Sequence, residues 1–219
     1  MTATVLPRSA EIRPGGQRVR RAVPVALTIW LVLVLSLGTA GAFISPPGTP
    51  PLAIAIGVLA PLALFFAWLR LSQSFRDFVL SLDLRFLVAM QAWRWAGLGF
   101  LDLYAYKVLP GVFALPAGLG DMTIGVTAPW IILGLVRHPG FAARSAFVRW
   151  NVFGILDLLL AIGIGTVSTL FATGAAGEIS TAPMAALPLL LIPAFLVPFF
   201  LMLHATALMQ SRQLRHAQA

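Results

Sequence analysis

Seven residues set into otherwise apolar stretches carry most of the chemistry open to this sequence: Gln91, Arg94, Asp102, Asp121, Asn151, Asp157 and His204. The run "AMQAWRWAGLGFLD", from Ala89 to Asp102, is apolar enough to cross a bilayer and yet holds two of the charges. An arginine near the bilayer midplane costs at least about 2.5 to 3.5 kcal/mol on insertion scales, so it requires a partner or water. Carboxylates facing such an arginine can bind a cation or exchange a proton. The arginine can hold an anionic group, and the amides and the histidine can extend a hydrogen-bonded chain.

Other chemistry is poorly supplied. A zinc site wants three or four His, Cys, Asp or Glu ligands, whereas the apolar spans offer one histidine, His204, and three separated aspartates. The absence of cysteine excludes disulfides, thiol nucleophiles and cysteine metal sites. Haem ligation by two histidines would need a well-placed second one, and His138 falls in a loop. Ser168 and Thr166 have no neighbouring general base. The glycines around Asp121 lack the Lys-Ser or Lys-Thr that completes a nucleotide-binding loop, and no strand precedes them. No metal and no cofactor is expected.

The elements that position these residues must be membrane spans. Of 219 residues, 59% are hydrophobic and 10% charged, a composition of polytopic membrane proteins. A span needs about 20 predominantly apolar residues. Six stretches qualify: Val23 to Phe43, Leu52 to Leu71, Arg85 to Tyr106, Leu119 to Val136, Phe147 to Leu170 and Leu187 to Met209. Continuous apolar runs of this length are helices, and the ten-residue alternation of a barrel is absent. The expected fold is therefore an all-α bundle of six transmembrane helices over residues 23–209. A disordered basic tail, residues 1–22, precedes it and a short tail, residues 210–219, follows. The first span resembles a signal peptide in its flanks, but its length and the span that follows favour an uncleaved helix.

Arginines sort to one side of the spans: Arg8, Arg13, Arg18, Arg20 and Arg21 before the first, Arg70, Arg76 and Arg85 after the second, Arg137, Arg144 and Arg149 after the fourth, Arg212 and Arg215 after the sixth. The positive-inside rule then puts both termini in the cytoplasm, in a bacterial cytoplasmic membrane. The net charge of +8 points to anionic lipid headgroups as neighbours of the N-terminal tail and not to nucleic acid. A homo-oligomer or a membrane partner is left open. Between the second and third spans, Phe75, Phe78, Val79 and Leu82 share one face of a short interfacial helix.

At about 100° per residue, Gln91, Arg94, Trp95, Leu98, Asp102 and Tyr106 share an inward arc of the third span, with Phe86, Met90, Trp93, Phe100 and Tyr104 toward lipid. On the fifth, Asn151, Gly154, Asp157, Ala161, Gly165 and Ser168 share a face. Depth, at about 1.5 Å per residue, then predicts an Arg94–Asp157 ion pair, an outer Asp102–Asp121 pair and an inner Gln91–Asn151–His204 cluster. Prolines and glycines around Asp121 permit either a broken, re-entrant helix or a tight outer turn into a bent fourth helix. Pro188, Pro193 and Pro198 predict kinks in the sixth.

The expected function is a small transporter or channel for an ion or small solute with a polar pathway on the third and fifth helices, the candidate pathway residues being Arg94, Asp157, Asp102, Asp121, Gln91, Asn151 and His204. The alternative is a non-catalytic accessory, assembly or sensor subunit in which the buried pair fixes helix register. A lipid-modifying enzyme using Asp102 and Asp121 comes third, since no clustered aspartate motif supports it.

Overall fold

The computed structural model describes residues 14–218, all of whose regular elements are helical. Five helices are long and apolar enough to cross a membrane. They are α1 (Pro14–Thr39), α2 (Leu52–Leu71), α6 (Gly111–Arg137), α7 (Ser145–Leu170) and α8 (Val197–Gln218) together with the turn that leads into it. Shorter pieces complete the chain: α3 (Gln73–Leu80), α4 (Leu84–Ala92) and α5 (Leu98–Ala105), the last two joined by a 3₁₀ segment, Trp93–Gly97. The third expected span is thus helical from Leu84 to Ala105 without being one α-helix.

Helix limits differ from the sequence reading at four places. Residues 1–13 of the expected N-terminal tail lie outside the described residues, but Pro14 to Ala22 are the first turns of α1. The segment after Gly16 has no helix breaker until Pro24, and Val19 packs on Leu69, Phe75 and Val79. α6 starts at Gly111, well before the expected Leu119, because Pro110 supplies an extended residue ahead of the helix and Pro116 is absorbed near its start. That helix runs unbroken past Asp121, so the re-entrant alternative does not occur. The sixth expected span opens as turns and a π-helical segment, Ile192–Leu196, before α8. Pro193 and Pro198 lack the backbone donors a regular helix uses, and a wider turn accommodates that loss. α8 then continues through the expected C-terminal tail to Gln218.

α6 packs along α4, the 3₁₀ segment, α5 and α7, while α8, the most enclosed of the long helices, packs against α2, α4 and α7. One apolar cluster, around Leu87, Phe147, Leu158 and Leu203, fills the half of the bundle nearer the arginine-rich loops. A second, around Phe100, Leu109, Phe113 and Met184, fills the opposite half. Outward positions are apolar as well, for example Val152, Leu156 and Leu159 on α7, as expected of helices whose surroundings are lipid.

At the basic end, α3 buries Phe75 and Val79 and is capped by Ser72, whose hydroxyl accepts from the Phe75 amide at 3.2 Å. Asp83 caps α4 by accepting from the Arg85 amide, and the Arg85 guanidinium grips the same carboxylate at 2.6 Å. The Arg85 side chain first, then its amide, holds the Asp83 carboxyl below its ordinary range. At the distal end Glu178 is likewise held low by the Thr173 amide, then by the Thr173 hydroxyl and Gly174 amide.

Candidate functional site

Arg94 projects from the 3₁₀ segment into the layer between the two apolar clusters, 2% exposed. Its Nε donates to Asp121 Oδ1 on α6 at 2.6 Å, and its Nη2 to Asp157 Oδ2 on α7 at 2.5 Å. Nη1 donates to the Gly154 carbonyl at 3.4 Å and meets His204 Nε2 on α8 at 3.1 Å. The guanidinium carbon also lies 5.9 Å from the centre of the Phe200 ring, within cation–π range. All three guanidinium nitrogens are therefore engaged.

This arrangement settles the state of the histidine. Arginine has donors only, so His204 Nε2 accepts and the imidazole is neutral, with its proton on Nδ1. That proton is donated to Asn151 Oδ1 at 2.9 Å, and Asn151 Nδ2 in turn donates to the Phe147 carbonyl at 2.9 Å. A one-way chain thus runs from Arg94 through His204 and Asn151 to the backbone. The Trp150 ring closes the cluster edge-on to His204, its indole N–H donating to Thr127 at 2.9 Å. With a neutral imidazole, two carboxyl groups share one guanidinium, so the layer would carry one negative charge in excess if both were ionised.

The Arg94–Asp157 pair appears where helix faces and depth predict it. Asp121 was expected to meet Asp102, and instead it is the second partner of Arg94. Asp102 is exposed, and its side chain makes no hydrogen bond or ion pair among the described residues. The cause is the 3₁₀ segment, which turns about 120° per residue where an α-helix turns about 100°, so five residues add roughly 100° of rotation. Burial accordingly recurs every third residue, at Gln91, Arg94, Gly97 and Phe100. Trp95, Leu98 and Tyr106, expected inside, are exposed, and Phe100, expected at lipid, is buried. Asn151 and His204 bond as expected, but Gln91 donates to the Phe200 carbonyl at 3.2 Å and takes no part in their chain.

Glycines make the layer this tight. A Cβ at Gly125 would overlap the Trp95 amide nitrogen, and one at Gly97 would meet Asp121 Cβ at 2.6 Å and the Gly118 carbonyl at 2.8 Å. α6 and the 3₁₀ segment therefore touch backbone to backbone. Gly120 and Gly154 leave room in the same way for the Asp157 carboxylate and the His204 ring. The spacing Gly118, Asp121, Gly125 was the overlooked signal: it puts the aspartate between two close-approach points on one helix face.

Asp121 also lines a cavity that extends toward the distal end between α5, α6, α7 and the π-helical segment. Its far end is a threonine neck, where Thr169 and Thr181 hydroxyls lie 3.1 Å apart and both donate toward the Gly165 carbonyl. Beyond the neck, sharing Thr169 and Thr181, a second cavity lies beside Glu178 and Ser180. No cluster of three or more His, Cys, Asp or Glu side chains suited to a metal occurs among the described residues.

Fold and site define an all-α protein with five helices long enough and apolar enough to cross a membrane, organised around one buried arginine bound by two aspartates. The chain belongs to the family described as Domain of unknown function (DUF8737), which it matches over residues 49–212. Every residue of the buried cluster lies inside that match, and α1 lies before it. Comparison with curated proteins and with solved structures gives no match.

Proposed function

We propose that this protein is a small transporter that exchanges protons and a cationic solute at the Arg94–Asp121–Asp157 layer. The observation that supports this reading is the charge count: two carboxylates on one guanidinium, with Asp121 facing the distal cavity. An uncompensated buried charge costs several kcal/mol, so the layer favours one added positive charge, supplied by a proton or by a bound cation. A cation arriving at Asp121 competes with Arg94 for that carboxylate and leaves Arg94 to Asp157, which couples the two carboxylates through one side chain. The two carboxyl groups already bound to Arg94 argue against its serving as a free anion site.

The same engaged guanidinium favours a second reading, in which the cluster only fixes helix register in an accessory subunit. Exchange activity separates the two. In vesicles holding an imposed pH gradient, the wild-type protein should dissipate the gradient when a suitable cationic solute is offered from a panel of alkali ions and amines. Asp157→Asn should lose that response while unfolding at a similar temperature. A mutant that dissipates the gradient as fast as wild type would remove Asp157 from the mechanism, and a wild type inert to the whole panel would leave the register reading.

The basic residues at one end further support a six-span topology in the cell membrane, with α4 to α5 as the third crossing and both termini cytoplasmic. The chain has no cysteine, so single cysteines report cleanly. Ser180→Cys, in a distal loop, should react with a membrane-impermeant thiol reagent on intact cells, and Ser74→Cys, on α3, only after lysis. The reverse pattern would invert the topology.

A further inference from the structure

We infer that the cavity below the threonine neck is a binding site for a compact organic cation, an ammonium group carried on a small apolar or aromatic body. The inference rests on the transport reading above and specifies the solute. The cavity lies among α5, α6, α7 and the π-helical segment, open to Asp121 at one end. Its walls are apolar over most of their extent, and among the described residues Asp121 is the one charged side chain that lines it. Asp121 gives Oδ1 to Arg94, and its Oδ2 makes no hydrogen bond within the protein among the described residues. A carboxylate oxygen thus remains as an acceptor for an incoming ammonium.

Other ligand classes fit worse. An anion would meet the Asp121 carboxyl, and four of the five guanidinium N–H groups are already engaged. A hard metal ion takes about six oxygen ligands, whereas the side chains lining the cavity offer the Asp121 carboxyl and the hydroxyls of Thr166, Thr169 and Thr181. An organic cation matches both parts of the lining. Its body packs on the walls, and its charge meets Asp121. Phe100 and Phe113, an edge-to-face pair with centroids 5.6 Å apart, add ring faces and edges on the route to that carboxylate.

Three probes of nearly one shape test this: phenethylammonium, 2-phenylethanol and phenylacetate, titrated calorimetrically at neutral pH into the purified full-length chain in detergent. Phenethylammonium should bind at least about tenfold tighter than the neutral alcohol, because a charge pair in a low-dielectric site outweighs equal apolar contact, and phenylacetate should not bind measurably. Asp121→Asn keeps the Arg94–Asp157 pair and should erase the preference for the amine, whereas Asp121→Glu should retain part of it. Ala161→Phe, which fills the cavity from α7, should abolish binding of amine and alcohol alike. Equal binding of amine and alcohol by the wild type, a wild type that binds neither, or a preference that survives Asp121→Asn would each overturn the proposal. Should Asp121→Asn fail to fold, the wild-type series and Ala161→Phe decide it. Loss of gradient dissipation in Asp157→Asn, with no amine binding by the wild type, would leave carboxylate exchange standing and this solute class refuted.

Discussion

Arg94→Leu is expected to prevent accumulation of a stable bundle, and the variant should elute as aggregate or unfold far below the wild type in detergent. Removing one partner of a buried ion pair costs about 3–5 kcal/mol, and here a single change orphans two carboxylates at once. It also removes the donor that His204 Nε2 accepts from and the cation beside Phe200. Since domains are stable by only about 5–15 kcal/mol, such a loss consumes much of the total. The triple variant Arg94→Leu, Asp121→Asn, Asp157→Leu should recover most of the folding, because an apolar replacement of a whole buried ionic group is often neutral or stabilising. Recovered folding without proton-coupled exchange would separate the chemical role of the layer from its structural one. An Arg94→Leu protein as stable as wild type would mean that the two carboxylates are not held by Arg94.

Gly125→Ala should destabilise the bundle by at least about 3 kcal/mol, the upper end of ordinary overpacking. The added methyl would meet the backbone of Arg94 and Trp95, which no rotamer change can move aside. Relief requires α6 and the 3₁₀ segment to separate, and that pulls Asp121 away from Arg94 along with the helices. Gly163→Ala on α7 is the matched control. Nothing lies within 4 Å of the point its added methyl would occupy, so the exchange should be neutral or gain up to about 1 kcal/mol of helix propensity. Thermal unfolding of the two variants side by side would check the difference. A Gly125→Ala protein as stable as the control would refute the backbone contact.

Legibility of the site in the sequence differs from helix to helix. The α7 face was readable, because α7 is one regular helix: Asn151, Gly154 and Asp157 are buried, and Val152, Leu156 and Leu159 are exposed, on the period that a constant turn per residue predicts. α3 was readable for the same reason, with Phe75 and Val79 buried. The third span was readable as far as Arg94 and not beyond, since a constant α-helical turn does not hold through a segment that winds more tightly. Asp102 and Phe100 exchanged places as a result.

By itself the sequence determined what short-range physics controls: an all-α chain of long apolar helices, the arginines gathered at one end, and a buried arginine that had to find acidic partners. Only the tertiary structure decided which aspartates those were, that His204 is a neutral acceptor, and that Asp121 opens on a cavity. Those outcomes depend on how closely two backbones approach and on their relative register. Gly97, Gly118 and Gly125 permit the approach, but a list of residues along one chain does not specify which neighbouring helix will fill the space a missing side chain leaves.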